Sequence, residues 1–386
     1  MSEIQIFFDP IDSNFHFEDE TWESTQIGSM IDSHIGSYFP NLKNAKIAIF
    51  SVLEYEGSEN ISSNNCLIRS FFYDLHFEDF PKVVDLGFLK ISNERKDSFE
   101  SIQNICSLLL KKNIMPIVIG GGHDISYAIY KAYVSLNKFI TLTTIDNKFD
   151  LGKKDDHLSS SSHLGKIISH KPSSLFHYVN IGYQSYFVSP LAVKMLDQMN
   201  FDVIRLGDIN SSVYELEPIM RNTDFLSLDI SAIKGSSASA NLYASVNGLD
   251  PLDVCQLMRY AGLSDKITSV GIFEYNRDID KNKQTADLLS QMIWYFIEGY
   301  KMRKNELNPH LDNCIKYTVT FEDEKNEIVF YKSKTSARWW MGVPFFDKKN
   351  KKRNNYYVAC SYVDYDLAMK GEIPKRWIKT YNKFQE

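Results

Sequence analysis

The sequence predicts an α/β fold of three layers, a mostly parallel eight-stranded sheet with helices on both faces, followed by a C-terminal extension that contains a β-hairpin. Three observations carry this expectation. From residue 46 onward, short runs rich in Val, Ile and Phe alternate with helical stretches. The runs are continuously apolar, as expected for strands buried on both faces. The pattern stops after Asn308-Pro309, where aromatic, strand-like segments replace it.

In chain order, residues 1–45 are acidic and aromatic without a clear period, and read as a surface-wrapping segment. Residues 46–310 make the α/β domain. Its strands are expected at 46–52, 83–87, 116–120, 139–146, 177–183, 202–207, 224–231 and 268–275. Helices are expected between them at 98–112, 125–135, 190–199, 213–221, 250–261 and 284–304. Right-handed crossovers then bring the C-terminal ends of the strands to one edge, where open sheets of this kind bind ligands. Residues 311–386 form the extension, with a hairpin of 317–321 and 328–331 and a tail carrying Trp339, Trp340, Tyr356, Tyr357 and Trp377. Those aromatics either present an interaction surface to a protein partner or anchor the extension on the chain's own core.

Composition narrows the function. The chain has 386 residues, 44% hydrophobic and 24% charged, enough for a sizeable core. A net charge of −6 argues against a nucleic-acid surface, which needs a basic footprint. The basic run 348–353 reads as a solvated loop. No apolar stretch is long enough to span a bilayer, and the N-terminus lacks a signal-peptide pattern, so a cytoplasmic location without membrane contact is expected. The five cysteines are scattered without a CxxC, which suggests neither a disulfide framework nor a thiolate zinc site.

Four expected strands end in groups suited to metal or catalytic chemistry. Gly120-Gly121-Gly122 lets the chain turn sharply and brings His123 to the sheet edge. The next end carries Asp146-Asn147-Lys148-Phe149-Asp150. Were that strand to stay extended, Asp146, Lys148 and Asp150 would share a side. Asp229-Ile230-Ser231 closes a third strand, where Asp229 and Ser231 would share a side, and Glu274-Tyr275-Asn276 a fourth. A single strand-terminal Asp is commonly just a cap or turn residue. Four such ends on one edge supply three carboxylates and an imidazole, a hard N/O set suited to Mn2+, Fe2+ or Zn2+. The glycine turn lacks both the G-x-G-x-x-G spacing and the P-loop Lys-Ser/Thr, which disfavours a nucleotide site.

These segments resemble the ureohydrolases: arginase, agmatinase and formiminoglutamase. The resemblance spans roughly residues 46–304. It rests on Gly121-Gly122-His123, on Asp146 to Asp150 against the family's D-x-H-x-D, and on Ser227-Leu228-Asp229-Ile230-Ser231 against its S-x-D-x-D. It implies an arginase-like fold, a homo-oligomer, and two manganese ions acting on a small amidine or guanidino substrate. His163 falls at the family's catalytic-loop histidine, where the bland reading is a helix-start residue. Glu274 falls at the substrate-gripping glutamate, where the bland reading is an ion-pair partner. His123, Asp146, Asp150 and Asp229 fall on the complete ligand set of one ion. The other ion's private ligands are replaced by Lys148 and Ser231. At most one divalent ion, manganese by resemblance, is therefore expected.

Two readings follow. One is a hydrolase of an amidine or guanidinium C–N bond with one metal position lost. The other is an inactive protein, a pseudoenzyme scaffold, on the same fold. The Lys148 ammonium is a candidate stand-in for the second ion, placed between Asp146 and Asp229. The loop 151–162, with Lys153, Lys154 and Asp155, is expected to select the substrate.

Overall fold

The computed structural model describes residues 4–11, 22–62, 64–153, 157–209, 213–321, 327–347 and 352–385. Lys154 and Asp155 of the loop expected to select substrate lie outside these residues, as do the turn 322–326 and most of the basic run 348–353.

Ten strands form one sheet: β1 Phe8–Asp9, β2 Asp32–Ser33, β3 Ile47–Val52, β4 Val83–Leu89, β5 Met115–Ile119, β6 Ile140–Ile145, β7 Leu175–Tyr183, β8 Asp202–Arg205, β9 Phe225–Asp229 and β10 Ser269–Phe273. Their order is β1-β4-β3-β5-β10-β9-β6-β7-β8, with β2 also on β4. All pairs are parallel except β1 with β4. The eight expected strands are all present. The two further ones come from the N-terminal segment, which does more than wrap the surface, since Phe8, Ile11 and Ile27 are buried.

Alternate residues of each strand serve opposite faces. Ile47 and Ile49 join Ile117 and Ile119 in one core, while Ala48 and Phe50 join Val118 in the other. Both faces are closed by helices, so every residue of β3 to β6 is buried. Helix Ile125–Ser135 covers one face with Ile125, Ala128 and Ile129, and helix Pro251–Leu263 covers the other with Val254, Leu257 and Met258. A buried ion pair fixes β4: Arg69 Nε donates to Asp85 Oδ2 at 2.7 Å, and its Nη1 donates to Ser51 Oγ at 2.6 Å. Among the described residues, no helix is long and apolar enough to cross a membrane.

The C-terminal hairpin belongs to a larger antiparallel sheet. Its strands are β11 Cys314–Thr320, β12 Glu327–Ser333, β13 Trp339–Asp347 and β14 Lys352–Cys360, followed by helices Tyr362–Met369 and Lys375–Lys383. Phe330, Met341 and Val343 form its core. Arg221 pins it to the large domain, donating to Trp339 O at 3.1 Å and Cys360 O at 2.9 Å while stacking on Trp340. Trp340 is thus an internal anchor.

Candidate metal centre

The sheet order brings the chemistry together. β5, β10, β9 and β6 lie side by side, so the four polar strand ends adjoin although they are far apart in sequence. Gly120 and Gly121 have φ of +91° and +75°, which lets the chain reverse directly after β5. A side chain at Gly121 would strike Ile125. The turn delivers His123, fully buried, beneath the sheet edge.

Three carboxylates converge on one nitrogen of His123. Its Nδ1 lies 3.4 Å from Asp146 Oδ2, 3.4 Å from Asp150 Oδ2 and 3.6 Å from Asp229 Oδ2. Local turns do the aiming. β6 ends at Ile145, so strand alternation does not extend through Asp146, Lys148 and Asp150. Instead Lys148 N–H donates to Asp146 Oδ1 at 2.9 Å, and Asp150 adopts φ +49° and swings back. Likewise Ser231 N–H donates to Asp229 Oδ1 at 2.7 Å in a short helical turn. Asp146 and Asp229 each therefore spend one oxygen on the backbone and present the other to His123.

The imidazole is oriented from behind. Its Nε2 meets Ser227 Oγ at 2.9 Å, and Ser227 meets Ser126 Oγ at 2.7 Å. With Nε2–H donated to Ser227, Nδ1 faces the carboxylates and would offer them a proton, or offer its lone pair to a cation that displaced that proton. Nδ1 is buried and has no hydrogen-bond partner. Burial opposes an imidazolium, yet the three carboxylates outweigh it and hold the His123 pKa well above the usual histidine value. Burial, then the charge of Asp150, pushes Asp146 well above the carboxylate range. Burial also opposes the charge on Asp150, but His123 and His163 hold its pKa down.

These four residues fit a divalent ion. They offer one nitrogen and three oxygens within 4.8 Å of one another. An ion bound at roughly 2.0–2.2 Å separates neighbouring ligand atoms by roughly 3.0–3.5 Å, the spacing seen around Nδ1. A cation would also relieve carboxylate repulsion of about 4 kcal/mol per contact pair at an effective dielectric near 20.

His163 and Glu274 complete the cluster. The His163 ring is 4.2 Å from that of His123. Its Nδ1 meets Ser160 O at 2.8 Å, and because a carbonyl only accepts, the proton sits on Nδ1. Nε2 is then a buried lone pair without a partner. Burial, then the charge at His123, pushes the His163 pKa down to about 3, so the ring is neutral. Glu274 is 3% exposed and fully hydrogen-bonded. Its Oε1 accepts from His123 N–H at 2.8 Å and Ser160 Oγ at 2.5 Å, and its Oε2 accepts from Ser58 Oγ at 2.7 Å. Burial, then the charge of Asp229, raises its pKa to about 7.

Lys148 departs from its expected place. Its Nζ makes no ion pair within 4.0 Å with Asp146 or Asp229. It lies instead over the rings of Tyr243 at 5.1 Å and Phe187 at 5.8 Å. The turn that ties its N–H to Asp146 sends its side chain out toward these aromatics. Ser231 is buried beside Asp229. Ser58, Ser126, Ser160 and Ser227 are the residues that sequence reasoning leaves without a role. Only Ser227, the first letter of a strand-end segment, carried a signal.

Comparison with known proteins assigns the family and the fold. Residues 56–298 match the model of the arginase family. The chain belongs to the arginase family. It is 26% identical over 239 residues to a formimidoylglutamase of Clostridium tetani, covering 58% of this chain and 71% of that protein. A formimidoylglutamase of Lysinibacillus sphaericus is 22% identical over 231 residues, covering 56% of this chain and 71% of that protein. The solved formimidoylglutamase of Bacillus subtilis superposes with a TM-score of 0.65 at 15% identity, over 76% of this chain and 98% of that one. A Trypanosoma cruzi formiminoglutamase solved with Mn2+ gives 0.63 at 18% identity, over 68% and 96%. At such identities these structures establish the arginase fold.

Proposed function

We propose that this chain holds one divalent ion, manganese by likeness to the T. cruzi relative, on His123, Asp146, Asp150 and Asp229, and hydrolyses the C–N bond of a linear amidine resembling formiminoglutamate. The observation that carries this reading is the unpartnered His123 Nδ1 ringed by three carboxylate oxygens. A bound divalent ion would polarise a water toward hydroxide at neutral pH. His163, neutral with a free buried Nε2, would accept and return a proton. Glu274 would orient the cationic amidine, exchanging the hydroxyls of Ser58 and Ser160 for substrate N–H groups. Lys148 and Ser231, where the family carries His and Asp, leave the second position without its private ligands. A second reading, a non-catalytic protein, draws support from the same Glu274, whose oxygens are already satisfied by the protein.

The test is release of ammonia, urea or formamide from formiminoglutamate, arginine, agmatine and guanidinobutyrate by protein purified without chelator. Activity on an amidine that Asp150→Ala abolishes is expected. Activity that survives Asp150→Ala would overturn the site assignment. A metal-loaded protein inert toward all four would favour the non-catalytic reading.

A further inference from the structure

A cavity of about 510 Å3 lies where the C-terminal extension meets the large sheet. Phe176, Val179, Ile204 and Ile219 line it from the large domain, and Val358 and Leu367 from the extension. Its volume falls in the range of small-molecule sites. It sits at the N-terminal ends of the strands, against the metal centre at their C-terminal ends. Thr141, which lines it, precedes Asp146 by five residues of extended chain, about 16 Å at the usual strand rise. The two sites are separate.

Its polar groups define what would fit. Thr141, among its lining residues, is 3% exposed. Two of the lining cations are matched by carboxylates, and a third contacts a histidine. Arg376 pairs with Asp364 at 3.2 Å, and Lys379 bridges Asp197 at 2.9 Å and Asp202 at 3.0 Å. Lys383 contacts His177 Nδ1, whose Nε2 donates to Asp202 at 2.9 Å. Two exposed lining residues, Lys375 and Glu372, make no ion pair within 4.0 Å among the described residues. The chamber is thus largely apolar, with Lys375 and Glu372 as exposed lining charges.

We propose that this cavity binds an α-amino acid with an apolar side chain. The side chain would occupy the chamber, the carboxylate would face Lys375 and the ammonium Glu372. An occupant touching both walls would tie the extension to the sheet and raise the stability of the whole chain.

The experiment is calorimetric titration and thermal unfolding of the full chain with L-phenylalanine and L-leucine. 3-Phenylpropionate, which lacks the ammonium, and phenethylamine, which lacks the carboxylate, serve as controls. Saturable binding of the amino acids with a raised unfolding temperature is expected, with each control about fivefold weaker, as for loss of one exposed ion pair of about 1 kcal/mol. Glu372→Ala and Lys375→Ala, both at exposed positions, should weaken L-phenylalanine by a similar factor. Asp150→Ala and metal-stripped protein should bind it unchanged. No saturable binding of either amino acid would overturn the proposal. So would controls or rim variants that bind as tightly as the parent pair. Binding lost in Asp150→Ala would place the ligand in the metal centre and also overturn it.

Discussion

Replacing Ser227 by alanine would test how the centre is built, because that hydroxyl touches no carboxylate and acts only through His123. It lies 2.9 Å from His123 Nε2 and 2.7 Å from Ser126 Oγ. Its loss frees the imidazole to rotate and removes the acceptor that keeps the proton on Nε2. Loss of such an outer partner typically costs about 10–100-fold in metal affinity. The same change leaves a buried ring nitrogen unsatisfied, at about 1–3 kcal/mol of fold stability. The two effects separate if affinity is measured well below the unfolding transition, by competition with a fluorescent Mn2+ chelator. Ser227→Ala should then bind at least about tenfold more weakly while its circular dichroism matches the parent. Unchanged affinity in a folded variant would mean that Nδ1 is not the ligand atom, and the account of the turn after β5 would fail.

Lys148→Met should change Mn2+ affinity by no more than about twofold, because the ammonium lies over Tyr243 and Phe187 and makes no ion pair with the carboxylates. A tenfold gain on removing the charge would show that Lys148 does act on the cluster. Arg69→Met strands Asp85 in the core beside β4, and urea unfolding should register a loss of about 3–5 kcal/mol. A loss under about 1 kcal/mol would show that this ion pair does not fix the edge of the sheet.

The strands were legible because both of their faces are buried, which writes them as unbroken apolar runs such as Ile47–Val52. Helix Ile125–Ser135 was legible to the residue, since a glycine turn fixes its start. The two-residue strands β1 and β2 carry no period to read. Helix Cys66–Asp74 escapes notice because it follows a long Ser- and Asn-rich loop. β14 begins Lys-Arg-Asn-Asn, a polar stretch that hides its pairing with β13. At the site, strand-end position identified His123, Asp146, Asp150, Asp229 and Glu274 as neighbours. Side-chain direction was not legible. Period-two reasoning fails where β6 ends at Ile145, and the backbone turn that follows converges Asp146 and Asp150 while sending Lys148 elsewhere. The serines that hold Glu274 come from distant loops, and no local pattern marks them.

The proposed centre holds one ion on one complete ligand set. It is tested most directly by the Mn2+ stoichiometry of the full chain, from calorimetric titration with elemental analysis of the dialysed product. Close to one ion per chain is predicted, falling to none in Asp150→Ala. Two ions per chain would contradict the account by showing a second site that functions despite Lys148 and Ser231. No bound ion at saturating Mn2+ would contradict it by showing that the four ligands do not hold a metal.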